Sequence, residues 1–118
     1  MTRKRYDNHS TEFGLWLREQ DIIDSKKGFT ATNLDYIWRN YRTGFWRLIE
    51  EKRYGSKPTF AQRQCFSVLH KCAKTDPFYR GFYLVKFEQT SPEDGVIWIN
   101  NEPATKDELI ALLTFAKD

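Results

Sequence analysis

Glu50 and Lys52 stand two residues apart in the run Trp46-Arg47-Leu48-Ile49-Glu50-Glu51-Lys52. Side chains alternate along a strand, so Trp46, Leu48, Glu50 and Lys52 share one face. Trp46 and Leu48 belong in a core, which puts the carboxylate and the ammonium at its edge. Charged groups rarely sit there unless they are paired or used. Asp35 lies in what reads as the partner strand. An even turn centred on Arg42-Thr43 sets Asp35 opposite Glu50, and one on Thr43-Gly44 sets it opposite Lys52; either brings all three groups to one face. A three-residue loop with a Gly bulge pairs Asp35 with Glu51 instead. Two close carboxylates repel, and a hard divalent cation is the natural way to hold both ionised. Mg²⁺ takes a few carboxylate oxygens, waters and a substrate phosphate, and Mn²⁺ can replace it. A lysine beside the metal orients the attacking water and stabilises charge developing on phosphate. That is the chemistry of phosphodiester hydrolysis. On spacing alone, the competing reading is a cross-strand ion pair on a solvated sheet face.

The elements that must position these groups are legible from patterning. Ser10 is placed to cap a helix with an apolar stripe of Phe13, Trp16 and Leu17. Asp24 to Gly28 reads as a loop, and a short strand around Phe29-Thr30-Ala31 is an option. A hairpin follows, with strands Asn33–Tyr41 and Phe45–Tyr54 broken at Arg42-Thr43-Gly44. Thr59 and Gln62 form a capping-box pattern that opens a second helix, with Ala61, Cys65, Val68, Leu69 and Cys72 as its expected buried stripe. Strands are expected over Gly81–Phe87 and Gly95–Ile99. Thr105 and Glu108 form another capping box, opening a last helix through Phe115. The order is helix, β-hairpin or three-stranded meander, helix, β-hairpin, C-terminal helix. This is an α/β (α+β) layer protein, read as one domain over residues 1–118, with residues 1–8 as a flexible basic tail.

Asp35 on one strand, then Glu50-Glu51-Lys52 on the next, resembles the PD-(D/E)XK nuclease superfamily. Gly55, then Pro58-Thr59-Phe60-Ala61-Gln62, a helix and a strand is similar to its virus-type replication-repair and Holliday-junction-resolvase-like branch. The resemblance runs over roughly residues 10–90 and does not reach residues 91–118. It implies a restriction-endonuclease-like core and a metal-dependent nuclease, more readily a DNA endonuclease than an RNase. It further implies Asp35 and Glu50 as ligands to Mg²⁺ or Mn²⁺, the Glu51 carbonyl assisting, and Lys52 as the catalytic group. Glu12, on the helix before the hairpin, matches a position that often supplies a further acidic ligand. Gln62 matches the Gln that opens the following helix. Plain geometry also singles it out: at about 100° per residue it falls inside the helix's apolar arc, where an amide needs a partner.

Composition narrows the remaining classes. The chain has 118 residues, enough for one core, and is 40% hydrophobic and 30% charged, as globular domains are. No apolar run approaches the roughly 20 residues of a membrane span, and no secretory pattern follows Met1. The expectation is a cytoplasmic or other intracellular protein. Residues 1–60 carry 12 Lys+Arg against 8 Asp+Glu, and residues 61–118 carry 7 against 8. Arg39, Arg42, Arg47, Arg53 and Lys57 cluster on or beside the hairpin with Trp38 and Trp46, a mixture suited to nucleic acid and, equally, to a charged sheet edge. Cys65 and Cys72 have no nearby His, and no Ser-His-Asp set, phosphate-binding Gly loop or zinc signature is present. His9 and His70 read as bland surface residues. The apolar last helix, Leu109 to Phe115, is the expected contact of a homodimer. The rival to catalysis is an inactive nuclease-fold module that holds nucleic acid or a protein partner.

Overall fold

The computed structural model describes residues 11–116. The chain divides between Ala31 and Thr32 into two compact units. In the first, helix α1 spans Glu12–Arg18, and Thr11 caps it by accepting the Gly14 N–H at 3.0 Å. The expected cap, Ser10, lies outside the described residues, as do His9 and the basic tail. Two short 3₁₀ turns follow, Asp21–Ile23 and Ser25–Lys27. Phe29-Thr30-Ala31 forms no strand, so the first β-element is a two-stranded hairpin.

The second unit is a mixed α+β layer built on a five-stranded open sheet in the order β1-β2-β3-β4-β5. Its strands are β1 (Tyr36–Arg39), β2 (Trp46–Lys52), β3 (Tyr79–Phe87), β4 (Ile97–Ile99) and β5 (Glu102–Ala104). Every neighbouring pair is antiparallel except β2 and β3, which run parallel because α2 (Phe60–Ala73) connects them. Helix α3 (Lys106–Leu113) closes the chain. Both helices open on complete capping boxes, Thr59 with Gln62 and Thr105 with Glu108. The last sheet element is a three-stranded meander rather than a hairpin, with β5 as the addition. Its turn is Asn100-Asn101, both at positive φ (50° and 68°). Asn tolerates that conformation better than other non-glycine residues, which suits a tight two-residue hairpin.

Alternation along β2 divides the core between the two sheet faces. Ile49 packs with Val85, Phe87, Ile97, Leu109 and Leu112 beneath α3. Leu48 packs with Tyr79 and Ala73 on the α2 side, joined by Trp46, Phe82 and Leu34. The expected stripe of α2 is not the one buried. Val68 is 65% exposed and Leu69 40%, while Phe66 and Ala73 are buried and Gln62 and His70 half-buried. The larger anchor decides the helix's rotation. Phe66 meets the Phe82 ring at a centroid distance of 5.0 Å, and burying a full aromatic ring outweighs burying Val68 or Cys65. That rotation turns Gln62 toward the sheet.

The last helix packs most of its apolar residues inside the chain. Leu109 and Leu112 are buried, Leu113 packs on the same cluster, and Phe115 lies over Arg47. Ile110, on the same helix, is 56% exposed.

Candidate functional site

The hairpin register places the predicted trio. Tyr36 pairs with Ile49, Ile37 with Leu48, Trp38 with Arg47 and Arg39 with Trp46. One step further along the same ladder sets Asp35 opposite Glu50. The loop is four residues long, Tyr41 to Gly44. The Asn40 N–H donates to the Phe45 carbonyl (2.9 Å), and the Gly44 N–H donates to the Asn40 carbonyl (2.8 Å). Asn40 also accepts the Arg42 N–H through its side chain at 2.9 Å, fixing the first bend. Gly44, at φ +85°, supplies the left-handed residue that returns the chain to β2. A four-residue loop keeps the even parity of a two-residue turn at Arg42-Thr43, so the register is the one that brings Asp35 to Glu50.

Asp35 lies just before β1 and bonds in the plane of the sheet. Its Oδ2 accepts the Glu51 N–H at 2.8 Å, standing in for a ladder carbonyl. Its own N–H donates to Glu50 Oε1 at 3.2 Å. Glu50 is 3% exposed, and its other oxygen faces Lys52 Nζ at 3.4 Å. Both Glu50 contacts are long. Burial, and next the charge of Asp35, push the Glu50 carboxyl above its ordinary value. Lys52 also donates to Gln62 Oε1 at 3.1 Å, and that oxygen accepts the Thr59 N–H at 2.9 Å. The capping box thus fixes the amide that holds the lysine. Asp35, Glu50, Lys52 and Gln62 form one connected set across two strands and a helix.

The donor set fits a divalent cation on its chemistry. Glu50 is desolvated, stands beside a second carboxylate and is only partly offset by Lys52 at 3.4 Å, and a hard cation would supply further positive charge. Asp35 and Glu50 would hold the ion, with the Glu51 carbonyl next in the chain. The Glu51 side chain takes the opposite face, where Arg53 Nε donates to it at 2.8 Å and the Tyr36 hydroxyl at 3.5 Å. Among the described residues, no group of three or more His, Cys, Asp or Glu gathers as a ready-made metal cage. Glu12 lies on α1, in the first compact unit.

The five basic residues do not form one surface. Arg47 is 0% exposed, with its guanidinium 4.9 Å from the Tyr83 ring and 4.5 Å from the Phe115 ring. It is a core residue beneath α3, and the reading of Arg47 as a nucleic-acid contact is corrected accordingly. Alternation alone put it on the face opposite Glu50, but only the α3 contacts reveal that this face is covered. Arg39 shares the Glu50 face, Arg53 lies on the other with Glu51, and Arg42 sits in the turn over Tyr41. Both tryptophans are structural. Trp38 Nε1 donates to the Leu113 carbonyl at 2.7 Å, and Trp46 packs on Tyr79 at 4.8 Å.

Two residues were passed over in the sequence. His70 is half-buried, and its Nδ1 lies 2.6 Å from the Tyr79 hydroxyl. Lys86 is 8% exposed on the α2 side of β3, paired with Lys52 across the parallel ladder. The signal was available: Phe82, Leu84 and Lys86 alternate as Trp46, Leu48, Glu50 and Lys52 do, with a charge at a core-facing position. No family model, curated protein or solved structure matches this chain.

Proposed function

We propose that the protein is a divalent-metal-dependent nuclease that hydrolyses phosphodiester bonds, with DNA as the substrate. One observation carries the reading: the hairpin register joins Asp35 and Glu50, and the capping-box Gln62 joins them to Lys52. The order of strand, strand, helix and parallel strand around that set also agrees with the resemblance to PD-(D/E)XK nucleases.

Within this reading Mg²⁺ or Mn²⁺, held by Asp35 and Glu50, supplies Lewis-acid activation of water and charge neutralisation at phosphate. The chain's own groups do the positioning. Glu51 N–H pins Asp35, so the carboxylate cannot swing away from Glu50. Gln62 holds Lys52 from the helix side while Glu50 holds it from the strand side. The ammonium is therefore directed without a flexible search, and its side chain is 16% exposed, enough to meet a phosphate oxygen. Arg39, on the same face, and Arg42, in the adjoining turn, can meet the flanking backbone.

The test is cleavage of radiolabelled linear, branched and single-stranded DNA with Mg²⁺ and with Mn²⁺. Wild type is expected to cut at least one of them. Glu50→Gln and Lys52→Ala should each lower the rate by 10²-fold or more, a loss of about 3 kcal/mol of transition-state stabilisation. Full activity in either variant would remove the site. Salt-dependent DNA binding without cleavage under any metal would instead establish an inactive nuclease-fold module.

A further inference from the structure

A second feature adjoins this set on the same side of the sheet. Between α2, the segment after β2 and one face of β3 lies an open cleft of about 660 Å³. Lys57, Arg63, His70 and Lys86 line it, no acidic residue does, and Phe66 and Phe82 form part of its wall. Its size is that of a site for a small organic ligand.

Lys86 makes the cleft more than a basic surface. It is more than nine-tenths buried, yet among the described residues it has neither a hydrogen-bond nor an ion-pair partner. Its nearest charged neighbour across the ladder is Lys52, another cation, whose ammonium is already held by Glu50 and Gln62. Its stem is buried against the apolar wall, and its ammonium, without a protein partner, belongs to the lining of the cleft. The protein keeps a cation in an apolar wall, facing a space that other cations surround. His70 strengthens the case: the Tyr79 hydroxyl holds Nδ1 at 2.6 Å, which sets the ring and leaves Nε2 for a ligand.

We propose that this cleft binds a nucleotide, with the phosphate on Lys86, Arg63 and Lys57 and the base against the Phe66–Phe82 wall. An anion alone would account for the cations. The apolar wall and the volume call for a ligand with a flat, poorly hydrated part beside its charge, which a nucleotide has. The nucleotide can be free or be a unit of a DNA strand; the chemistry of recognition is the same. The site does not require the metal or cleavage, so it stands or falls apart from the proposed nuclease activity.

The experiment is isothermal titration calorimetry in EDTA with thymidine monophosphate, thymidine, inorganic phosphate and a short thymidine oligonucleotide. Wild type should bind the monophosphate or the oligonucleotide in a salt-dependent manner and bind thymidine at least 10-fold more weakly. Lys86→Met should weaken binding by 10-fold or more without lowering the thermal midpoint, a combination that a structural lysine would not give. The surface variant Arg63→Ala, at an exposed position where folding is not at stake, should weaken it several-fold, and Glu50→Gln should leave it unchanged. Binding by the monophosphate identifies a free-nucleotide site, and binding by the oligonucleotide alone identifies a strand site. The proposal is overturned if neither binds, if Lys86→Met and Arg63→Ala bind as wild type does, or if inorganic phosphate binds as tightly as the nucleotide.

Discussion

Replacing Glu50 by Gln should make the metal-free protein more stable and deaf to metal. The carboxyl is 3% exposed, its two contacts are 3.2 and 3.4 Å long, and Asp35 repels it. Burial is the larger cause of its raised pKa and Asp35 the next. A group whose folded pKa is raised contributes stability at low pH, below its ordinary value of 4.5, and loses that contribution as pH rises through the folded value. At pH 7 the charged carboxylate is therefore a cost. Gln keeps the shape and removes the charge, although Lys52 loses one of its partners. Removing one partner of a buried pair is costly when it strands the other, but Lys52 is 16% exposed and keeps Gln62, so relief of burial and of the Asp35 repulsion wins by a small margin, about 1 kcal/mol. For a chain of this size that is about 4 °C in Tm. Mg²⁺ at about ten times its dissociation constant should add about 1.4 kcal/mol to wild type and nothing to the variant. Differential scanning fluorimetry in EDTA and in Mg²⁺, at pH 4 and pH 7, reads all of this. Wild type should gain from Mg²⁺ at pH 7; the variant should start higher and stay flat; and at pH 4 the two should converge. A Tm for Glu50→Gln at or below wild type in EDTA at pH 7 would refute the reasoning. Glu50 would then be a structural ion pair with Lys52.

Three further outcomes test other parts of the fold and site. Arg47→Ala empties a fully buried position between Tyr83 and Phe115. It should cost about 3 kcal/mol in urea unfolding, with DNA affinity per folded molecule unchanged; a specific loss of affinity would restore Arg47 to the interface. Gln62→Ala removes half a capping box, worth about 1 kcal/mol, and releases Lys52. Cleavage should fall about 10-fold with KM little changed, whereas a purely structural amide would leave kcat intact. The Tyr79 phenol is pushed up to about 12, first by burial and then by Tyr83. Its stabilisation is complete below its ordinary pKa of 10 and is lost as pH rises toward about 12. Tyr79→Phe should flatten the decline of Tm in that window, and an unchanged slope would refute the assignment.

Local chemistry alone determined much of this protein. Capping boxes at Thr59 and Thr105 start α2 and α3 where the sequence says they start, because a cap is decided by residues three apart. Alternation along β2 put Glu50 and Lys52 on one face and Arg47 on the other for the same reason: the period of a strand is local. Three matters needed the tertiary structure. The parity of the Tyr41–Gly44 loop decided whether Asp35 met Glu50, since two-, three- and four-residue turns share one composition. The rotation of α2 was decided by Phe82, a ring on a distant strand, so Phe66 and not Val68 is buried and Gln62 reaches Lys52. And α3 covers only one of the two sheet faces that alternation defines. That cover makes Arg47 core, while the parallel pairing of β3 brings Lys86 beside Lys52 on the other face. Strand period tells which side chains point together; only packing between elements far apart in the chain tells what they point at.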